Sequence, residues 1–221
     1  MVSSSSHSKV RRPSRTVRSG PRARSGRADL GQRLVAAAAA LITERGPRGF
    51  SLREVARRAS VSEAAPYWHF TGKEALLAAV AEQGFIRLAA AMAEVRQRVK
   101  DPRRQLRQLG EAYVRFALAH PSHLRVMFGP EIRDKSAHPS LKAAAEKAFD
   151  LLVSTIADGQ RAGHLKRGDA GELAVSTWAL VHGLASLLID GQLRRRARSA
   201  RDAKMLTGRA TQLLQTGLAK R

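Results

Sequence analysis

Residues Ser51 to Leu77 read SLREVARRASVSEAAPYWHFTGKEALL. Within these 27 residues the pattern writes a short helix, a tight turn, a second short helix and the start of a third. Ser51 opens the first, with Glu54 three positions on, the spacing in which hydroxyl and carboxylate cap each other's backbone N–H groups. Leu52, Val55, Ala56 and Ala59 then share one face, while Arg53, Arg57 and Arg58 fall elsewhere on the wheel. Ser60-Val61-Ser62 interrupts the pattern. Ser62 is placed to cap a second helix over Glu63 to Phe70, which at two turns needs tertiary packing to persist. Its cluster Tyr67, Trp68, His69 joins aromatic bodies to polar tips, the chemistry of phosphate contacts beside a DNA groove. The alternative for Tyr67, Trp68 and Phe70 is ordinary core.

Outward from this stretch the chain stays helical. Leu34, Val35, Ala38, Leu41 and Ile42 form an apolar stripe that stops near Gly46-Pro47. Beyond Gly72, helical patterning covers Lys73 to about Val99, Pro102 to Ala119, Ser122 to Phe128, Pro139 to Ala162, Asp169 to Asp190 and Ala200 to Ala219. No strand alternation is evident, so the expected fold is all-α with about nine helices. The expected division is a basic, disordered arm over 1–28, a three-helix DNA-binding domain over 29–75, and a helical ligand-binding and dimerisation domain over 76–221. The arm, rich in Ser, Arg, Gly and Pro, has too little apolar surface for a core.

The chain carries 40 Lys and Arg against 18 Asp and Glu, an excess that attracts polyanions. Residues 1–28 hold eight bases and no acid, while residues 29–75 hold seven against five, so the helix-turn-helix itself is barely basic. The absence of cysteine removes disulfides and thiolate metal sites. Leu173 to Ile189, LAVSTWALVHGLASLLI, is 17 residues without a charge. It is short for a membrane span and is interrupted by Ser, Thr, His and Gly, so burial in protein is expected and no membrane partner. One side can meet its own domain and the other a second subunit, with Leu206, Leu213, Leu214 and Leu218 completing a four-helix interface.

On these residues the chain resembles the TetR family of bacterial transcriptional regulators, from Asp29 to Leu77 most strongly. The resemblance implies that Leu52 and Arg53 open the bracing helix, and that Glu63, Ala64 and Ala65 form the groove-facing start of the recognition helix. It further implies that Tyr67, His69 and Lys73 meet phosphates. Ser60 stands where the family usually has Gly, which puts the turn's backbone in question. Pro66 sits one turn into the recognition helix and should weaken it. Trp178-Ala-Leu-Val-His182-Gly183, with Ala119-His120-Pro121 and Met127-Phe128-Gly129, is similar to the WHG-type C-terminal domain.

Tyr113, Phe116, Met127, Phe149 and Trp178 are candidates for the wall of an effector pocket, with His182 one turn from Trp178 as its polar contact; the same residues serve equally as core. His120 and His123 straddle Pro121 and favour capping or surface roles over metal binding. No nucleophile motif, phosphate loop or carboxylate pair stands out, so neither enzyme activity nor a cofactor or metal is expected. The implied protein is a cytoplasmic bacterial homodimer, associated with the nucleoid through double-stranded DNA at a palindromic operator and released by an unidentified small-molecule effector. The competing reading is a nonspecific nucleoid-type binder in which charge does all the work.

Overall fold

Prolines and side-chain caps divide the chain into its elements. The computed structural model describes the backbone of residues 21–219 and the side chains of residues 29–219. It contains α1 (Pro21–Arg45), α2 (Leu52–Arg58), a 3-10 turn (Ala65–Trp68), α3 (Lys73–Arg98), α4 (Pro102–Ala119) and α5 (Pro121–Phe128). A second 3-10 turn (Lys135–Ala137) precedes α6 (Pro139–Arg161), α7 (Ala170–Ile189) and α8 (Ala200–Leu218). Pro102, Pro121 and Pro139 occupy first-turn positions, where a missing N–H costs nothing. Asp101 accepts from the Arg103 N–H at 2.9 Å, Asp169 accepts from the Glu172 N–H at 2.8 Å, and Ser199 forms a reciprocal capping box with Asp202.

The all-α expectation is met, with eight α-helices among the described residues against about nine expected. Two expectations are corrected. The helix expected over Glu63 to Phe70 does not form, because the segment around Pro66 makes a 3-10 turn. The first helix begins at Pro21 rather than Asp29, with proline again at a first-turn position. The remainder of the expected arm, residues 1–20, lies outside the described residues. The stripe Leu34, Val35, Ala38, Leu41 and Ile42 is buried throughout.

The core is organised on α3. Leu76, Leu77 and Val80 near its start pack with α1, and Phe85, Leu88, Met92 and Val95 pack among α4, α5 and α6. One continuous apolar cluster therefore runs from Leu34 to Ala185, and the expected boundary between residues 75 and 76 falls inside α3. Two glycines set how closely helices approach. A Cβ on Gly84 of α3 would fall 2.5 Å from Met127 Sδ of α5, and one on Gly110 of α4 would fall 2.7 Å from the Thr211 methyl of α8. Those contacts exclude a side chain.

Gly110→Ala tests this. A helix interior gains up to about 1 kcal/mol from Gly to Ala, whereas forcing a methyl into a filled site costs about 1–3 kcal/mol. The expected sum is a loss of stability in urea denaturation of the full chain. A gain would mean that α4 and α8 separate without cost.

Candidate DNA-binding head and ligand cavity

The head is built around α2. The Ser51 N–H donates to Glu54 Oε2 at 2.8 Å, and the Glu54 N–H returns a bond to Ser51 Oγ at 3.3 Å. Arg45 Nη1 adds a third contact to Glu54 at 2.7 Å. The backbone and hydroxyl of Ser51, then Arg45, hold the Glu54 carboxyl below its ordinary range. Leu52, Val55 and Ala56 face inward, so Leu52 braces the head from within and is not a surface group.

At the end of α2 the Ser60 N–H donates to the Arg57 carbonyl at 3.1 Å and the Val61 N–H to the Ala56 carbonyl at 3.0 Å. This paired closure needs a left-handed residue, and Ser60 supplies it at φ 55°. Arg33 Nη2 of α1 fastens the same turn by donating to the Ala59 carbonyl at 2.6 Å. Gly163 closes α6 through the same pair of bonds at φ 71°, where glycine meets no Cβ penalty.

Pro66 decides the next segment. It lacks an N–H, and three bonds around it span three residues: Ala65 N–H to the Ser62 carbonyl at 3.0 Å, Tyr67 N–H to Ala64 at 3.1 Å and His69 N–H to Pro66 at 3.1 Å, while the Phe70 N–H closes the segment on Pro66 at 2.9 Å. Ser62 therefore does not cap a helix with its hydroxyl; its carbonyl takes the Ala65 N–H, and Ala64 precedes the turn without a side-chain cap. Ala65 is also misplaced by sequence reasoning, since its methyl is buried beside Pro66 and unavailable to a groove. Tyr67 and Trp68 are 57% and 68% exposed, which removes the core reading for both. Arg53, Ser62, Glu63 and Ala64 share the exposed surface, with Arg53 Nε 3.7 Å from Glu63. His69 is half-buried, its Nδ1 lying 3.5 Å from where a Cβ on Gly31 of α1 would stand.

Lys73 departs furthest from expectation. Its ammonium donates to the Arg48 carbonyl at 3.0 Å and the Phe50 carbonyl at 2.7 Å, and lies 4.3 Å from the Phe50 ring. Burial holds its pKa below the ordinary lysine value. Two of its three N–H groups are thus spent on tying the α1–α2 loop to α3 rather than on phosphate.

In the C-terminal part, α3, α4, α6 and α7 enclose a cavity of about 460 Å³. Tyr113, Phe149 and Trp178 line it as their pattern suggested. Phe116 and Met127 do not: Phe116 turns away and packs 5.2 Å from the His120 ring, and Met127 is fully buried against Gly84. Phe128, the neighbour of Met127, reaches the cavity instead, joined by Phe85, Leu88 and Met92 of α3 and by Lys135. Their signal lay in the spacing 85, 88, 92, which puts three large apolar groups on one helix face. His182 stands behind this wall, its ring 4.7 Å from Phe128 and 5.5 Å from Trp178. Its Nδ1 pairs with the Tyr113 hydroxyl at 2.8 Å. Burial lowers the His182 pKa and raises that of Tyr113, so both sit there neutral. The rings of His120 and His123 lie 5.6 Å apart outside the cavity wall; burial first, then Arg87 and His120, push His123 down to about 4.

Residues 34–80 match the family described as bacterial regulatory proteins, tetR family, and residues 106–210 match the tetracyclin repressor-like C-terminal domain. The chain belongs to the TetR family. A comparison with curated proteins finds no match. Among solved structures, a protein of unknown function from Rhodococcus sp. RHA1 is 35% identical, with 86% of this chain and 96% of that one covered and a TM-score of 0.75. A bacterial regulatory protein of the tetR family from Rhodococcus RHA1 shares the fold at 22% identity, covering 87% and 98%, with a TM-score of 0.67. The transcriptional regulator FadR from Bacillus subtilis, solved in complex with stearoyl-CoA, shares it at 15% identity, covering 85% and 98%, with a TM-score of 0.71. This TetR-family chain is a DNA-binding transcriptional regulator with a helix-turn-helix head and a ligand-binding domain.

The serine in the turn of this TetR head yields a prediction. A non-glycine residue in the left-handed region costs about 1–2 kcal/mol, so Ser60→Gly should stabilise the chain by about 1 kcal/mol after glycine's extra unfolded-state entropy. Guanidinium denaturation reads this directly, and an unchanged midpoint would show that the serine backbone is not strained there.

Proposed function

We propose that the protein is a homodimeric, sequence-specific repressor that leaves a palindromic operator when a small molecule fills the cavity. The observation that carries the dimer is the outer side of α7. This helix buries only Ala174, Thr177, Val181 and Ala185, while Val175, Leu180 and Leu187 are 41–51% exposed and Gly183 has open space above it. On α8, Met205 and Leu213 add exposed apolar surface. Both α3 and α7 are long and apolar enough to cross a membrane by length and composition, yet α3 spends its apolar face in the core. A second copy meeting α7 and α8 in a four-helix arrangement would bury the strip and present two heads to two half-sites.

A physical link between cavity and head supports ligand release. Phe128 and Lys135 wall the cavity, and the segment joining them holds the head at two points. Glu131 forms an ion pair with Arg48, Oε1 to Nε 3.3 Å, and the Arg133 N–H donates to Glu74 Oε1 at 3.1 Å. A ligand that moves this connector therefore acts on the α1–α2 loop and the first turn of α3 together. The effect is a population shift towards head spacings that miss the operator.

The rival reading, a nonspecific nucleoid-type binder, draws on the excess of 22 positive charges. Binding to a selected operator and to random DNA at one salt concentration separates the two. The repressor reading expects at least about a thousandfold preference for the operator, and equal affinities would leave only the charge-driven binder. Within the head, Tyr67→Ala should weaken all sequences alike, whereas Arg53→Ala, with Arg53 on a base, should cost about 1–3 kcal/mol on the operator and relax the preference at one position.

Leu187→Asp tests the dimer. The side chain is exposed in the single chain, so its own fold is spared, but in a dimer an unpaired carboxylate would be buried. Sedimentation should show a micromolar dimer converted to monomer, with operator affinity falling in parallel. A wild-type monomer that binds the palindrome tightly would overturn both the interface and the spacing mechanism.

A further inference from the structure

Resting on the ligand-cavity reading above, we infer that the effector is an apolar carboxylic acid, its carboxylate held by Lys135 Nζ and its hydrocarbon packed among Phe85, Phe128, Phe149 and Trp178. The walls supply the apolar half. Those four rings and the side chains of Leu88 and Met92 face a volume within the range of about 300–1,000 Å³ usual for small-molecule sites. Phe128 contacts Phe85 and Trp178 with ring centres 5.5 Å apart in each case, which gives a firm apolar surface rather than a loose one.

The charge comes from one residue. Lys135 is half-buried, donates to the Met127 carbonyl at 2.7 Å and lies 5.8 Å from the Phe128 ring centre. Among the described residues no carboxylate stands within ion-pair distance of it. The single carbonyl leaves N–H groups for an incoming oxygen. Burial already holds its pKa below the ordinary lysine value, a cost that a bound anion removes. The uncharged polar groups of the wall are satisfied internally, the Tyr113 hydroxyl by His182 behind it and the Thr177 hydroxyl by the Leu173 carbonyl.

Two carboxylates, Glu146 and Asp150, also reach the cavity and would favour an amine. Both are exposed at its mouth, and Glu146 has Lys142 3.7 Å away. A charge in water acts through a dielectric several times that around a half-buried one, so Lys135 decides the preference.

The chain has two tryptophans, Trp68 in the head and Trp178 in the cavity, so Trp68→Phe leaves the cavity residue as sole fluorescent reporter. In that background the full-length protein is titrated with dodecanoate, dodecan-1-ol and dodecylammonium at one pH and salt. The expected result is a shift in Trp178 emission, with dodecanoate binding about tenfold or more tighter than the alcohol, as one charge-assisted contact gives. Adding Lys135→Met should weaken dodecanoate about tenfold and bring acid and alcohol to near parity, with an unchanged urea midpoint showing that the variant is folded. Equal binding of acid and alcohol before the substitution would overturn the acid class while keeping the cavity as a ligand site. Tightest binding of the amine would overturn it in favour of the rim carboxylates. No response to any of the three would remove the ligand-cavity reading itself.

Discussion

The packing of one long helix constrains everything else in this molecule. The first turns of α3 share a core with α1, and its middle is buried among α4, α5 and α6. Because interiors are packed to crystal-like density, a rigid rod buried at both ends passes displacement along its axis and cannot absorb it locally. Gly84 tightens this, since its missing side chain lets Met127 of α5 lie directly on α3. The cavity wall, the connector after α5 and the head are therefore mechanically one assembly.

Sequence patterning reached the helices whose burial is one-sided. The stripe on α1, the capping box at Ser51 and the proline-led starts of later helices follow from local rules that the fold obeys. Legibility fell where a residue's fate depends on a distant neighbour. Pro66 announced a weakened helix, but only the three-residue hydrogen bonds around it show that no α-helix forms. Lys73 looked free because the carbonyls that capture it, on Arg48 and Phe50, are more than twenty residues away in sequence. Ala65, one position from exposed Ala64, differs from it only through the packing of a 3-10 turn.

The cavity shows the same limit in another form. Periodicity marks which residues are apolar and share a face, yet a cavity exists where facing helices fail to fill the space between them. Tyr113, Phe149 and Trp178 were identifiable as large inward groups, but Met127 and Phe128 are adjacent and equally apolar. Only the seat of Met127 on Gly84 turns Phe128 to the cavity. Lys135 carried no pattern at all, opening a three-residue 3-10 turn in the connector between α5 and α6.

The inward turn of Lys73 has a consequence for how this head senses ionic strength. A lysine on phosphate displaces a condensed counterion, and each such event steepens the fall of affinity with salt. Lys73 releases none while its ammonium is held by two carbonyls. Beside it, α3 begins after Gly72 with no side-chain cap, so backbone N–H groups and the helix dipole are what this corner offers a phosphate. Dipoles carry no net charge and bring no counterions of their own to exchange. Whatever salt response the head has therefore comes from its exposed arginines, Arg53 and Arg57 among them, and not from this corner.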